Sequence, residues 1–275
     1  MRPMLRVEKL LLPALGLVAL AFVYPAAELL GRSFTEPPGG FSHYQDVFGS
    51  SSLMTIVGRS ALTAALVMAV SLLLGFPVAW LAANSSPRVA KLILGVVAAS
   101  LFVSVIVRGY SWLAILDRNG VLNTVLGAIG LESMQRTLVH NRAGVVIGMS
   151  QYGIPFMILP LYDVMSRFDN RLLAASANLG ARQWTTFWRV YVPLILPGIG
   201  AGCTIVFIAT LGYYVLPSIL GGPGDVMIGE LIADKIQTTG DWGQGTALAS
   251  VLLAVALLFF VAFYRFSLRG REGSS

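Results

Sequence analysis

The chain has 275 residues, 56% hydrophobic and only 12% charged. A soluble domain carries roughly 25% charged residues, so this is the composition of a membrane protein. The net charge of +6 would suit nucleic acid, but no basic patch with interleaved stacking aromatics stands in a soluble segment. Lys and Arg gather instead in short polar stretches between apolar runs, as on the inner face of membrane proteins, which excludes nucleic acid as a partner.

Residues 1–9 carry Arg2, Arg6 and Lys9. Residues 10–30 are then apolar for about 20 positions, enough to span roughly 30 Å at 1.5 Å per residue. A cleaved signal peptide has an apolar core of about 7–15 residues. This run is longer, so it predicts a retained first helix with its N-terminus in the cytoplasm. A polar loop with the turn cluster Pro37-Pro38-Gly39-Gly40 follows.

Residues 53–83 predict the second span, with Arg59 near its outer end. A short turn around Asn84-Ser85-Ser86-Pro87-Arg88 leads to the third span at 92–116, which contains Arg108. Residues 117–142 form a longer loop with Arg118-Asn119-Gly120, Glu132 and His140. The fourth span is 143–165, the fifth 194–220 and the sixth 246–266. Between the fifth and sixth, an outer loop opens on Gly221-Gly222-Pro223-Gly224. About six spans return both termini to the cytoplasm. This topology leaves roughly twice as many Lys and Arg inside as outside, as the positive-inside rule requires. The expected fold is a single all-α membrane domain over 1–275.

Between the fourth and fifth spans lies a polar, basic island, residues 166–193. Asp169 or Asn170 is a plausible N-cap for a short helix. Ala174, Ala175, Ser176 and Ala177 give that helix little bulk, so another surface can approach closely. Asn178 closes it, and Gly180 sits where a helix end needs a left-handed residue. Beyond Arg182, the residues Trp184, Phe187, Trp188 and Tyr191 recur at helical spacing on one face. The pattern predicts a helix–turn–helix lying at the membrane surface, with Pro193 and Pro197 at the entrance to the fifth span.

Within the spans, Gly144 and Gly148, and Gly198 and Gly202, stand four apart. This spacing lets helix backbones approach each other, either inside one subunit or against a partner. Pro77, Pro155, Pro160 and Pro217 mark kinks or tolerated breaks. Ionisable residues in a span are functional candidates by default. Glu28, Arg108 and Asp163 qualify, but each lies near a predicted span end, where a solvated position is expected. Tyr110, Trp112, Tyr152, Tyr213 and Tyr214 form a possible aromatic set. Such rings can cage an organic cation or simply belong to the interfacial belt.

Catalytic signatures are lacking. There is no G-x-x-x-x-G-K-[ST] stretch, so ATP hydrolysis is not expected of this chain, and there is no H-E-x-x-H. His43 and His140 are isolated in loops. Cys203, the single cysteine, lies in an apolar run, so neither an internal disulfide nor a metal site is expected.

The island at 166–193 resembles the cytoplasmic loop motif of the permease subunits of ABC importers. That motif reads Glu-Ala-Ala, three residues, Gly, nine residues, then Ile-x-Leu-Pro. Here Ala174, Ala175 and Ser176, then Gly180, then Val190, Val192 and Pro193 stand at the matching positions. Gly, Pro and their spacing agree; the leading Glu is replaced by Ala174. Other stretches are similar to the spermidine and putrescine permease subfamily: Arg118 to Asn123, Pro155 to Tyr162, Leu216 to Gly222, Met227 to Gly229, and Asp241-Trp242 with Gly245 and Ala247. Some relatives carry an acid where this chain has Tyr213 and Ser218.

The resemblance implies a type I importer permease fold and a non-catalytic subunit in the bacterial inner membrane. Its implied partners are a second permease, two ATP-binding subunits that hold ATP and magnesium, and a periplasmic solute-binding protein. Ala174, Ala175, Ser176, Ala177, Asn178, Gly180 and Arg182 would couple to an ATPase. Tyr110, Trp112, Tyr152, Asp163, Tyr213 and Tyr214 are the candidates for the solute path. A polyamine is the implied solute, with an amino-acid-like, opine or quaternary-amine solute as the alternative. A secondary transporter or channel would need intramembrane acids or an inverted repeat, and neither is evident.

Overall fold

The computed structural model describes residues 13, 15–169 and 171–272, with side chains as far as Arg265. Among the described residues the chain is helical and has no strand. In chain order the helices are α1 (Leu15–Thr35), α2 (Ser42–Gly49), α3 (Ser51–Asn84), α4 (Pro87–Leu101), α5 (Val105–Leu116) and α6 (Val121–Ala128). They continue as α7 (Arg142–Ser166), α8 (Arg171–Asn178), α9 (Gln183–Leu211), α10 (Val215–Leu220), α11 (Ile228–Gln237) and α12 (Trp242–Glu272). Helices α1, α3, α7, α9 and α12 are long and apolar enough to cross a membrane. A sixth span arises if α4 and the segment after it count as one broken crossing.

That break corrects the expectation of one straight helix over 92–116. Helix α4 ends at Leu101, and the next helical stretch leaves it at 97°. The last turn tightens as the Phe102 N–H donates to the Ala99 carbonyl at 3.1 Å. Ser104 is extended (ψ 135°) and its carbonyl starts α5 by accepting from the Arg108 N–H at 2.9 Å. The Arg108 guanidinium then reaches back to the Ser100 carbonyl at 2.6 Å. The carbonyls of a last helical turn lack partners inside the helix and carry the negative end of its dipole, so a cation closes that end well.

The fifth span also differs from expectation. Its helix begins at Gln183 and stops at Leu211, and α10 is a separate short helix. The aromatic half of the island is therefore the first part of α9, not an independent surface helix. Pro193 does not interrupt it. The backbone widens into a π-turn over Phe187–Tyr191, where the Val192 N–H reaches the Phe187 carbonyl. A wide turn just ahead of Pro193 relieves the clash that its ring would make with the preceding turn.

The chain divides into two packing units. The first comprises Met1–Thr55 and Leu231–Leu253. In it, the Ser33 hydroxyl bonds the Tyr44 hydroxyl at 2.8 Å, Arg32 lies 5.0 Å from the Trp242 ring centre, and buried His43 packs on Gly243.

The second unit, Ile56–Glu230 with Ala254–Ser275, is built on the pairing of α7 with α9. Met149, Met157, Ile158, Leu161, Ile195, Val206, Leu216 and Leu220 are its buried centre. Both glycine pairs are used for packing inside the chain. A Cβ on Gly198 would meet the Pro160 carbonyl oxygen at 3.0 Å, and one on Gly202 would meet the Met157 sulfur at 2.6 Å. Gly148 faces Leu220 and Trp112. Phe207 stacks on Phe259 with centroids 3.8 Å apart, which ties α12 to this unit.

The two ends of this unit are distinct. At one, Arg59 donates to the Gly224 carbonyl at 2.7 Å, Arg142 pairs with Asp225 at 3.6 Å, and the Ile228 N–H donates to Ser60 at 2.8 Å. The loop from Asp117 joins this end, and buried Asn123 organises it. Its amide donates to the carbonyls of Asp117, Arg118 and Arg136 at 3.0–3.1 Å. A Cβ on Gly120 would crowd the Ala114 and Ile115 carbonyls, each at 2.6 Å. These two positions explain the Gly-x-x-Asn part of the Arg-Asn-Gly-x-x-Asn pattern. The other end gathers the C-terminal ends of α3 and α7 with the island at 166–193. Alternation of the loops between two ends follows the order read from the sequence.

Candidate functional site

The island folds as a short helix with both ends closed. The Asp169 carboxylate accepts the Arg171 N–H at 2.9 Å, which makes Asp169 the N-terminal cap; Asn170 lies outside the described residues. At the other end Gly180 has φ +81°. Its N–H donates to the Ala177 carbonyl at 2.9 Å, and the Ala181 N–H donates to the Ser176 carbonyl at 3.1 Å. This paired closure needs a left-handed residue, which glycine supplies without steric cost.

Ala174, Ala175, Ala177 and Asn178 are exposed, and so is Arg182 beyond the turn. Leu173 packs inward against the core, and Ser176 is half-buried. The Ser176 hydroxyl bonds the Thr186 hydroxyl at 2.9 Å, which fastens α8 to the start of α9. Phe187 and Tyr191 point inward, 5.8 Å apart between centroids, and Phe76 and Phe168 meet them. Trp184 and Trp188 stay exposed. A cavity of about 360 Å³ lies behind α8, lined by Trp80, Phe168, Phe187 and Tyr191 with Asn84 and Thr186 among its polar groups. The island thus presents a small-residue surface outward and is wedged by rings from behind.

The candidates for the solute path separate into two groups. Tyr152 and Tyr213 meet with centroids 4.8 Å apart and their planes tilted at 43°, and Phe156 adjoins Tyr152 at 5.2 Å. The Trp112 indole donates to the neighbouring Gln151 amide oxygen at 3.4 Å. Tyr110 and Tyr214 are exposed, and no ring contact ties either to this cluster among the described residues. Asp163 stands apart. It is about three helical turns along α7 from Tyr152, roughly 16 Å at 1.5 Å per residue, and pairs with Arg167 at 2.6 Å on an exposed surface. Its position at the island's end of the chain removes it from the aromatic cluster.

Arg108 is the residue that sequence reasoning misplaced. A solvated position was expected, yet it is 4% exposed. Its guanidinium carbon lies 5.5 Å from the Tyr152 ring centre, within the range of a cation–π contact. Its Nε is buried without a hydrogen-bond partner among the described residues. The available signal was the charge itself, because an arginine inside an apolar run is costly and seldom idle. Glu28, by contrast, is exposed and pairs with Arg32 at 3.1 Å.

Comparison with known proteins identifies the family and the fold. Residues 75–269 match the family described as binding-protein-dependent transport system inner membrane component. The spermidine/putrescine transport system permease protein PotB of Haemophilus influenzae is 30% identical over 255 residues, covering 93% of this chain and 87% of its own. PotB of Escherichia coli K12 is 31% identical over 196 residues, 71% of each chain. In fold, the chain is similar to a bacterial alginate ABC transporter solved with an alginate pentasaccharide-bound periplasmic protein. That TM-score is 0.70 at 20% identity, with 96% of this chain and 94% of the other covered. The chain is therefore a member of the family of inner membrane components of binding-protein-dependent transport systems, a multi-pass permease of the ABC importer type.

Proposed function

We propose that this permease forms one half of the path of an ABC importer for polyamines. It would pair with a second permease, rest on two ATP-binding subunits that carry ATP and magnesium, and receive solute from a periplasmic binding protein. Both termini would face the cytoplasm, with the island at 166–193 on that side. The observation that carries the solute class is the similarity to spermidine/putrescine permeases over 93% of the chain.

The route for force is read from the island. Closure of the ATPases would press on the small-residue surface of Ala174, Ala175 and Asn178. The Ser176–Thr186 bond and the turn at Gly180 would pass that motion into α9, and the close packing of α9 on α7 would carry it through the bundle. At Gly198 and Gly202 the α9 backbone lies close to the α7 backbone at Pro160 and Met157, which couples the two helices. This chain contributes shape and movement but no covalent chemistry.

A second solute class is favoured by one observation. Tyr213 and Ser218 are uncharged, so neither supplies a carboxylate that a di- or tricationic solute would use. An amino-acid-like, opine or quaternary-amine solute fits that lining. Uptake of labelled spermidine by proteoliposomes holding the assembled transporter separates the two. Saturable, ATP-dependent uptake that unlabelled putrescine competes away supports the polyamine. Competition by an amino acid or betaine alone rejects it.

A further inference from the structure

Among the described residues, Arg108 is the one side chain of fixed charge that is buried. It sits in a built cation site. One side of the site is the Ser100 carbonyl, 2.6 Å away at the negative end of α4. The other side is the face of Tyr152, itself packed against the tilted ring of Tyr213. Two features distinguish this from ordinary packing. Nε has no partner, so the fork is only partly used. The carbonyl it caps ends the helix just before the 97° break, so the cation and the bend are coupled.

An aromatic face beside a carbonyl at the negative end of a helix would hold an alkylammonium group as readily as a guanidinium. Tyr152 and Tyr213 are only half-buried, so a solute in the path can reach the same rings that Arg108 occupies. We infer that Arg108 is a tethered cation standing in the site of a solute ammonium group, and that an entering amine competes with it for the Tyr152 face and the Ser100 carbonyl. Displacement breaks the tie from α5 to the end of α4, so solute entry loosens the hinge between the two helices. The inference rests on the reading of the solute as an amine. It adds a position for that amine and a means by which occupancy changes the shape of the bundle.

The test uses the full-length permease in detergent, with thermal unfolding as the readout. Arg108→Gln removes the charge and, with its shorter side chain, vacates the guanidinium's place beside the Ser100 carbonyl. Ethylguanidinium or 1,4-diaminobutane at millimolar concentration should raise the melting temperature of this variant by several degrees. Wild type should shift at least tenfold less sensitively in concentration, because its own side chain fills the site. Sodium chloride at equal ionic strength and 1,4-butanediol should leave both unchanged. If Arg108→Gln fails to fold, Arg108→Lys takes its place. Its shorter, single-point ammonium covers less of the site, so ethylguanidinium should stabilise it at lower concentration than it stabilises wild type. Equal amine responses in variant and wild type overturn the inference, as does an equal response to the diol. The measurement needs no transport. A variant that takes up amines while the wild-type assembly imports none would leave the site standing and defeat the polyamine reading.

Discussion

Two glycines show how a single atom decides local structure. Gly180 holds φ +81° at the end of α8. Gly180→Val places a branched side chain in the left-handed region, where even an unbranched L-residue loses about 1–2 kcal/mol. The turn should rearrange, and ATP-dependent uptake should fall about tenfold or more, with a fall in melting temperature no larger than this strain brings. Gly202 is the converse case. Gly202→Val would press on the Met157 sulfur and backbone inside the α7–α9 seam. Overpacking of this kind costs about 1–3 kcal/mol, so unfolding should shift to lower temperature whatever the transport assay reads. Gly180 was legible because its spacing to Pro193 and the small residues before it form a pattern. The role of Arg108 was not, because its partners are a carbonyl eight residues upstream and a ring on another helix, and residue type alone points to neither.

At the scale of elements, the long helices were legible from apolar length, and the places where they stop were less so. The run at 92–116 has no proline or glycine between Phe102 and Ser104, so nothing in the pattern announces a turn of 97° there. The break is sustained by a tertiary contact, the bond from Arg108 to Ser100, that periodicity cannot register. The start of α9 was misread for a related reason. Pro193 signals a helix entrance, but the π-turn over Phe187–Tyr191 lets the helix begin ten residues earlier, at Gln183. The clasp between α8 and α9 yields a prediction at this scale. Ser176→Ala removes the hydroxyl pair with Thr186, a bond worth about 1 kcal/mol. ATP hydrolysis by the assembled transporter should persist while the number of solute molecules moved per ATP drops. An unchanged ratio would show that the clasp transmits nothing.

For the whole molecule, the order of loops between two ends was readable from charge, and the structure gathers the same loops together within the larger unit. Which end faces the cytoplasm is a proposal from the positive-inside rule. It predicts that a cysteine at Asn178 in intact cells, with Cys203 replaced, resists a membrane-impermeant maleimide and labels only after permeabilisation. Labelling of intact cells would invert the topology. The solute path was legible only in part. The aromatic set was visible as a composition, but its division into a joined cluster around Tyr152 and Tyr213 and the separate Tyr110, Tyr214 and Asp163 depends on helix rotation and on the break after Leu101.

The central claim is that a partner ATPase drives this permease through α8. It is tested most directly by replacing Arg171–Asn178 with a flexible Gly-Ser segment of equal length and measuring ATP-dependent solute uptake in proteoliposomes of the assembled transporter. Uptake should fall to the level seen without ATP, with solute still bound by the periplasmic protein. Uptake at the wild-type rate would contradict the account.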